Sequence, residues 1–163
     1  MEPEFDFDFL TPEYLLEKEE LSRVRAIRRR VKALEIKKQV LTELKSPGHE
    51  KRIARANLGI SNLDAELELI SERVLKREVG LERYMVIHIV RYGGTERRLQ
   101  VLCFSVIDRG IGTRLTWELT GRSLRKNQTL GSRHEGLCIN FAKIYRRTLD
   151  GSWVRLHPKE EHQ

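Results

Sequence analysis

The residues best equipped for chemistry in this chain are its basic ones. Arg122, Arg125, Lys126 and Arg133 lie in 121-GRSLRKNQTLGSR-133, and Arg25, Arg28, Arg29 and Lys32 lie in 23-RVRAIRRRVKALEIKK-38. A guanidinium is planar, permanently charged, and carries five N–H donors in a fork that matches phosphate and carboxylate. Two such groups, in a chain of formal net charge +7 at pH 7, point to a polyanionic partner. The first group is expected at the start of a helix, where free amides and the helix dipole would add to the attraction for phosphate. The second has a rival explanation. Val24, Ile27, Val31 and Leu34 run through it at helical spacing, so its charges are also what the solvated flank of a coiled coil would carry.

Other chemistries find less support. Cys103 and Cys138 are the only cysteines and form no CxxC pair. His88 and His134 stand far from them in sequence, so no metal-ligand spacing is present. Ser105, Asp108 and His88 would have to converge through a sheet, and nothing in the linear pattern activates the serine. His134 and Glu135 are neighbours and would point apart. There is no P-loop and no GxGxxG, and Gly110-Ile111-Gly112 reads as a turn. The expectation is a non-catalytic protein with no cofactor and no metal.

The elements that must position the basic residues come in four parts. Residues 1–10 form an acidic, aromatic head in which Phe5, Phe7 and Phe9 alternate with carboxylates, as in segments that dock onto a protein partner. Residues 11–80 read as two long helices. Thr11-Pro12 opens the first, with Leu10 and Leu15 able to close a staple across the start, and Ser46-Pro47-Gly48 ends it. The second runs from about His49 to Val79, with Gly80 as its terminal residue. Its Ile53, Ala56, Ile60, Leu63, Leu67, Ile70 and Val74 make a heptad seam. Ile53, Ile60, Leu63, Leu67, Ile70 and Val74 are the candidate oligomerisation residues, since the seam is equally suited to an intrachain hairpin or an interchain coiled coil.

Residues 81–157 read as a βββα unit. The expected strands are 84–92, 99–107 and 113–120, the first two joined at Gly93-Gly94. Leu115, Trp117 and Leu119 share one face of the third. Leu137, Phe141 and Ile144 predict a helix over 133–149 that packs on the sheet and stops at Asp150-Gly151, with a hairpin turned by Asp150-Gly151 onto Trp153-Val154 as the alternative. Residues 158–163 read as a solvated tail. Trp117, Tyr84 and Tyr92 are candidates for stacking on bases, though aromatic residues in strands more often serve the core. The order helix, three strands, helix is also that of double-stranded RNA-binding domains, but the lysine cluster of those domains is missing after 131-GSR-133.

The charge pattern makes its own forecast. If the helices fold back on each other, Asp64, Glu66, Glu68 and Glu72 face the basic block, with Arg30 near Glu66. A hydrophobic content of 39% permits a core, and no apolar run reaches the ~20 residues of a membrane span. An acidic start is unlike a signal peptide. The resulting expectation is an α+β protein, cytoplasmic or nuclear, with a long N-terminal helical hairpin or coiled coil, a three-stranded antiparallel sheet and a C-terminal helix. Its expected role is oligomeric nucleic-acid binding, with the RNA duplex backbone favoured. The alternative is a coiled-coil dimeric adaptor that docks a protein through the β unit or the head.

Overall fold

The computed structural model describes residues 10–45, 47–91, 94–108 and 114–158. Phe5, Phe7, Phe9, Ser46, Tyr92, Gly93, Gly110, Gly112 and the tail beyond Pro158 lie outside the described residues. Three helices precede six strands: α1 (Pro12–Leu15), α2 (Lys18–Leu44), α3 (His49–Glu78), β1 (Val86–Arg91), β2 (Glu96–Asp108), β3 (Leu115–Leu124), β4 (Leu130–Cys138), β5 (Ala142–Arg147) and β6 (Trp153–His157). The helical half follows the pattern in the sequence. α2 buries Val24, Ile27, Val31, Leu34 and Leu41, and α3 buries Ala56, Leu67, Ile70 and Val74. Between the two helices, Leu34 Cδ1 lies 3.1 Å from the Cβ position of Gly59, a contact a larger residue would obstruct. Gly80 ends α3 at φ 82°, and its amide bonds back to the Leu75 and Lys76 carbonyls.

Two features of the helical half differ from expectation. The first long helix is broken: Leu16 is extended at ψ 135°, and α2 restarts where the Glu17 amide donates to Glu20 Oε1 at 3.1 Å. The hairpin charges also pair differently. Glu66 is taken by Arg23, which lies two turns before Arg30, through hydrogen bonds of 2.6 and 2.7 Å. Glu68 and Glu72 turn instead to Arg83, beyond the end of α3.

The C-terminal half overturns the three-stranded sheet with its closing helix. A six-stranded antiparallel sheet takes its place, in the order β4-β3-β2-β1-β5-β6. The expected helix over 133–149 is two strands. Leu137 points inward from one, Ala142 and Ile144 from the other, and Ile139 just past the end of the first is buried with them. Phe141 sits at φ 61° in the turn between them. A turn that separates two period-two patterns by an odd step leaves apolar residues three and four apart, which mimics a helical face. Asn140 fixes this turn: its Oδ1 accepts from the Trp117 amide at 3.0 Å, and its Nδ2 donates to the Leu115 carbonyl at 3.2 Å. The Asp150-Gly151 hairpin onto Trp153 is the arrangement realised.

The sheet is strongly rolled. Four strand spacings separate β4 from β5 in the order, about 19 Å if the sheet were flat. Yet residues 139–141 alone join them, a link that spans at most about 15 Å. A bulge in β2 keeps the inner face continuous: Val101 pairs with Gly121 and Cys103 with Thr120, so one extra residue lets Val101 and Phe104 both point inward. Gly121 is required there, because a Cβ would fall 2.3 Å from Leu99 Cδ1 and 2.6 Å from the Gln100 carbonyl oxygen. One core of buried residues joins α2 and α3 to this inner face. Leu67, Ile70 and Val74 of the heptad seam are part of it, and Ile60 and Leu63 pack against its edge. The sheet-proximal end of the seam is therefore buried within the chain, while Ile53, Ile60 and Leu63 further out are half-buried. No helix among the described residues is long and apolar enough to cross a membrane.

Candidate nucleic-acid interface

Rolling the sheet around its apolar face leaves the opposite face turned to solvent, and alternation along each strand decides what it carries. Directly paired residues of an antiparallel sheet share a face. His88 pairs with Arg98 on one side and with Tyr145 on the other, and Tyr145 pairs with Arg155. One step along, Gln100 pairs with Arg122, and Arg122 with His134. A continuous band thus crosses all six strands, from His134 through Arg122, Arg98, His88 and Tyr145 to Arg155. Trp153 and Arg147, a further cross-strand pair, adjoin it.

The side chains of this band meet. The Arg98 guanidinium lies over the Trp153 ring at 5.4 Å from its centroid, within cation–π range. The His88 ring sits 5.7 Å from Tyr145, tilted, and 5.7 Å from Trp153, edge-on. The β5–β6 turn that presents Trp153 is held by Asp150, whose carboxyl the Thr148 and Ser152 hydroxyls bring down to about 2. Among the described residues Arg122 uses its Nε alone, on the Gly131 carbonyl at 3.1 Å, and Arg155 its Nε alone, on the Pro158 carbonyl at 2.7 Å, which leaves the other guanidinium donors of both without a described partner. Lys143 lies on the same face, paired with Val90. The acids of this face are Glu96, whose Oε2 is 3.5 Å from His88 Nε2, and Glu118 at the far end of β3. Cations therefore predominate across the band.

The basic residues read from the sequence are distributed differently from expectation. Arg122, Arg125, Lys126 and Arg133 belong to the β3–β4 hairpin and not to a helix start, so they gain nothing from a helix dipole. Arg125 and Lys126 occupy the exposed tip, closed by the Arg125 amide to the Thr129 carbonyl at 2.8 Å. Arg122 joins the outer band. Arg133 lies on the other face with Glu135, 3.6 Å away, and Glu135 is also 3.4 Å from Arg97. The hairpin brings Arg122, Arg125 and Lys126 together and parts them from Arg133.

Arg25, Arg28, Arg29 and Lys32 recur at three- and four-residue steps along one side of α2, and none of them makes an ion pair among the described residues. The ionic link between the helices near the sheet runs the other way, from an α2 acid to α3 bases. Glu20 accepts from Arg77 at 2.7 Å and from Arg73 at 3.1 Å. Burial pushes the Glu20 carboxyl upward, but Arg77, the Glu17 amide and Arg73 together hold it below the usual glutamate range.

Other candidates are not assembled. Ser105 lies seven residues along β2 from Arg98, the partner of His88, about 23 Å at strand rise, so no serine–histidine contact forms. His134 and Glu135 face opposite sides of β4. No cluster of three or more His, Cys, Asp or Glu suited to a metal is found among the described residues. Trp117 is wholly buried and belongs to the core, whereas Tyr84 is exposed. Among the described residues, Tyr145 and Trp153 are the aromatic residues of the strands that reach the outer face, and a helical reading of 133–149 hides Tyr145. Their signal in the sequence is the short alternation on either side of Asp150-Gly151.

The fold and site together describe a helical hairpin packed on a rolled antiparallel sheet whose outer face is cationic and aromatic. Comparison with protein-family models, curated proteins and solved structures finds no match.

Proposed function

We propose that the chain is a nucleic-acid-binding protein that works by binding and not by catalysis, with the outer sheet face as its contact surface. The observation that carries this reading is the band of Arg98, Arg122, Arg147 and Arg155 interleaved with His88, Tyr145 and Trp153. Guanidinium groups neutralise phosphates and aromatic rings accept bases, and few other ligands call for both on one open surface. Arg125 and Lys126 extend the positive surface at the hairpin tip, and the unpaired Arg25, Arg28, Arg29 and Lys32 offer a second place for backbone phosphates. RNA remains the favoured polymer.

Fluorescence anisotropy of labelled oligonucleotides across a salt series tests the proposal. Affinity should fall log-linearly with salt. Changing Arg98, Arg122, Arg147 and Arg155 to Ala should flatten the slope by about 0.7 for each phosphate of a single strand that is no longer neutralised. A parent protein without affinity at low salt would refute the reading.

Self-association is a second reading, carried by a different observation. Ile36, Val40 and Leu44 recur at one-turn spacing on α2 and are 55%, 47% and 61% exposed. The stripe lies on a helix of mixed charge, so an antiparallel second copy centred on Val40 can set its Glu43 against the partner's Lys37 and its Glu35 against the partner's Lys45. Light scattering at micromolar concentration should give a dimer mass for the parent and a monomer mass for Val40→Glu. A monomeric parent would refute it.

A further inference from the structure

Resting on the proposed nucleic-acid binding, we infer that the outer sheet face takes an unpaired strand, with a base stacked on Trp153 beside His88 and Tyr145 and the flanking phosphates held by Arg98 and Arg155. The shape of the surface favours this choice. A rolled sheet is convex on its outer side, and two convex bodies, sheet and duplex, touch over a small area. A flexible single strand can drape across the same curve. From Arg122 on β3 to Arg155 on β6 the band crosses four strand spacings, about 19 Å, enough for a short extended segment.

The chemistry favours it as well. In a duplex the base faces are stacked on one another, and only phosphates and groove edges remain to be touched. Rings set in the middle of a cationic band would then have no counterpart. An unpaired strand exposes those faces, and stacking on protein rings tolerates any base because every base has a π-face. Arg98 lies over the Trp153 ring at 5.4 Å, which makes a positive charge part of the stacking platform itself, beside the phosphates of a bound base. Neither Trp153 nor Tyr145 is fully buried, so both are available to a ligand without rearrangement of the core.

The chain has two tryptophans, and the other, Trp117, is wholly buried, so the emission that changes on binding reports Trp153. The experiment titrates the full chain with a twelve-nucleotide single strand, as RNA and as DNA, and with the duplex of the same sequence. The expected result is quenching of Trp153 by either single strand, tighter binding of single strand than duplex, and loss of about tenfold in single-strand affinity in Trp153→Ala. Trp153→Phe, which keeps a ring, should restore most of it, and both variants should melt as the parent does. Preference between the RNA and DNA arms shows whether the 2′-hydroxyl adds to a stacking mode that either strand supports.

Duplex binding equal to or tighter than single-strand binding, with unchanged emission, would overturn the inference while leaving the proposed function standing, provided the arginine substitutions still weaken affinity. So would a Trp153→Ala variant that folds and binds like the parent. If no oligonucleotide binds at low salt, the inference and the reading beneath it both fall.

Discussion

Replacing Glu20 by Ala should be among the most damaging single changes in the helical hairpin. The side chain is 9% exposed and accepts three sets of hydrogen bonds: from Arg77 at 2.7 Å, from Arg73 at 3.1 Å and from the Glu17 amide at 3.1 Å. A hydrogen bond between a charged pair with one buried partner contributes about 1.5–3 kcal/mol. Arg73 is largely exposed, so its share is about 0–1 kcal/mol. The bond to the amide at the start of α2 adds about 0.5–1 kcal/mol, as helix-start contacts do. The total is about 2–5 kcal/mol. In a chain of this size each kcal/mol moves the midpoint about 2–4 °C, so Glu20→Ala should melt about 4–20 °C lower at pH 7 by circular dichroism.

Acid titration gives the same network a signature that packing alone would not produce. Because the folded-state carboxyl is held below its unfolded value, its contribution is fully present above the unfolded glutamate pKa of about 4.3 and disappears as pH falls through the lower folded value. Glu20→Gln resembles the protonated parent, so the gap in melting temperature between the two should close over that acidic window. Equal melting of parent and Glu20→Ala at pH 7, or a Glu20→Gln gap that persists unchanged far below the carboxylate range, would refute the reasoning.

Gly121→Val should destabilise the sheet by about 1–3 kcal/mol in urea melts, since the new atoms meet Leu99 Cδ1 and the Gln100 carbonyl oxygen where the β2 bulge leaves no room. Leu67→Ala should cost about 2–5 kcal/mol without changing the molecular mass in light scattering, because Leu67 is buried inside the protomer; a mass change without loss of stability would place the seam between chains. Arg125→Glu with Lys126→Glu should weaken oligonucleotide binding less than Arg98→Glu with Arg147→Glu in the same anisotropy assay, since the tip stands away from the aromatic rings. The reverse order would move the site to the hairpin tip.

Much of the helical half is legible in the sequence because its information is local. Val24, Ile27, Val31 and Leu34 on α2, and Leu67, Ile70 and Val74 on α3, repeat at a period that only a helix places on one face. Gly80 marks an end through its own backbone freedom. The break at Leu16 is not legible in this way, because it rests on Glu20 reaching back to the Glu17 amide as well as across to α3. The hairpin pairing of Glu66 with Arg23 instead of Arg30 likewise depends on how the helices settle around Gly59 and Leu34, a matter of shape that residue type does not record.

For the sheet, the sequence determined three strands and the apolar face of β3, and it left the Asp150-Gly151 hairpin open as an alternative. What it did not determine was that 133–149 is two strands. Apolar residues on either side of a turn fall three and four apart, and what distinguishes strands from a helix there is long-range: Asn140 bonds to Trp117 and Leu115, 23 to 25 residues away. The candidate site shares that dependence. The basic residues were evident as residues, but which of them act together is a question of register. Arg98, His88, Tyr145 and Arg155 are far apart in the chain and neighbours only because β5 inserts beside β1, while Arg133, close to Arg122 in sequence, is turned to the opposite face. Local composition fixes charge and propensity; pairing between distant strands fixes which side chains share a surface, and that is decided by the burial of the whole inner face at once.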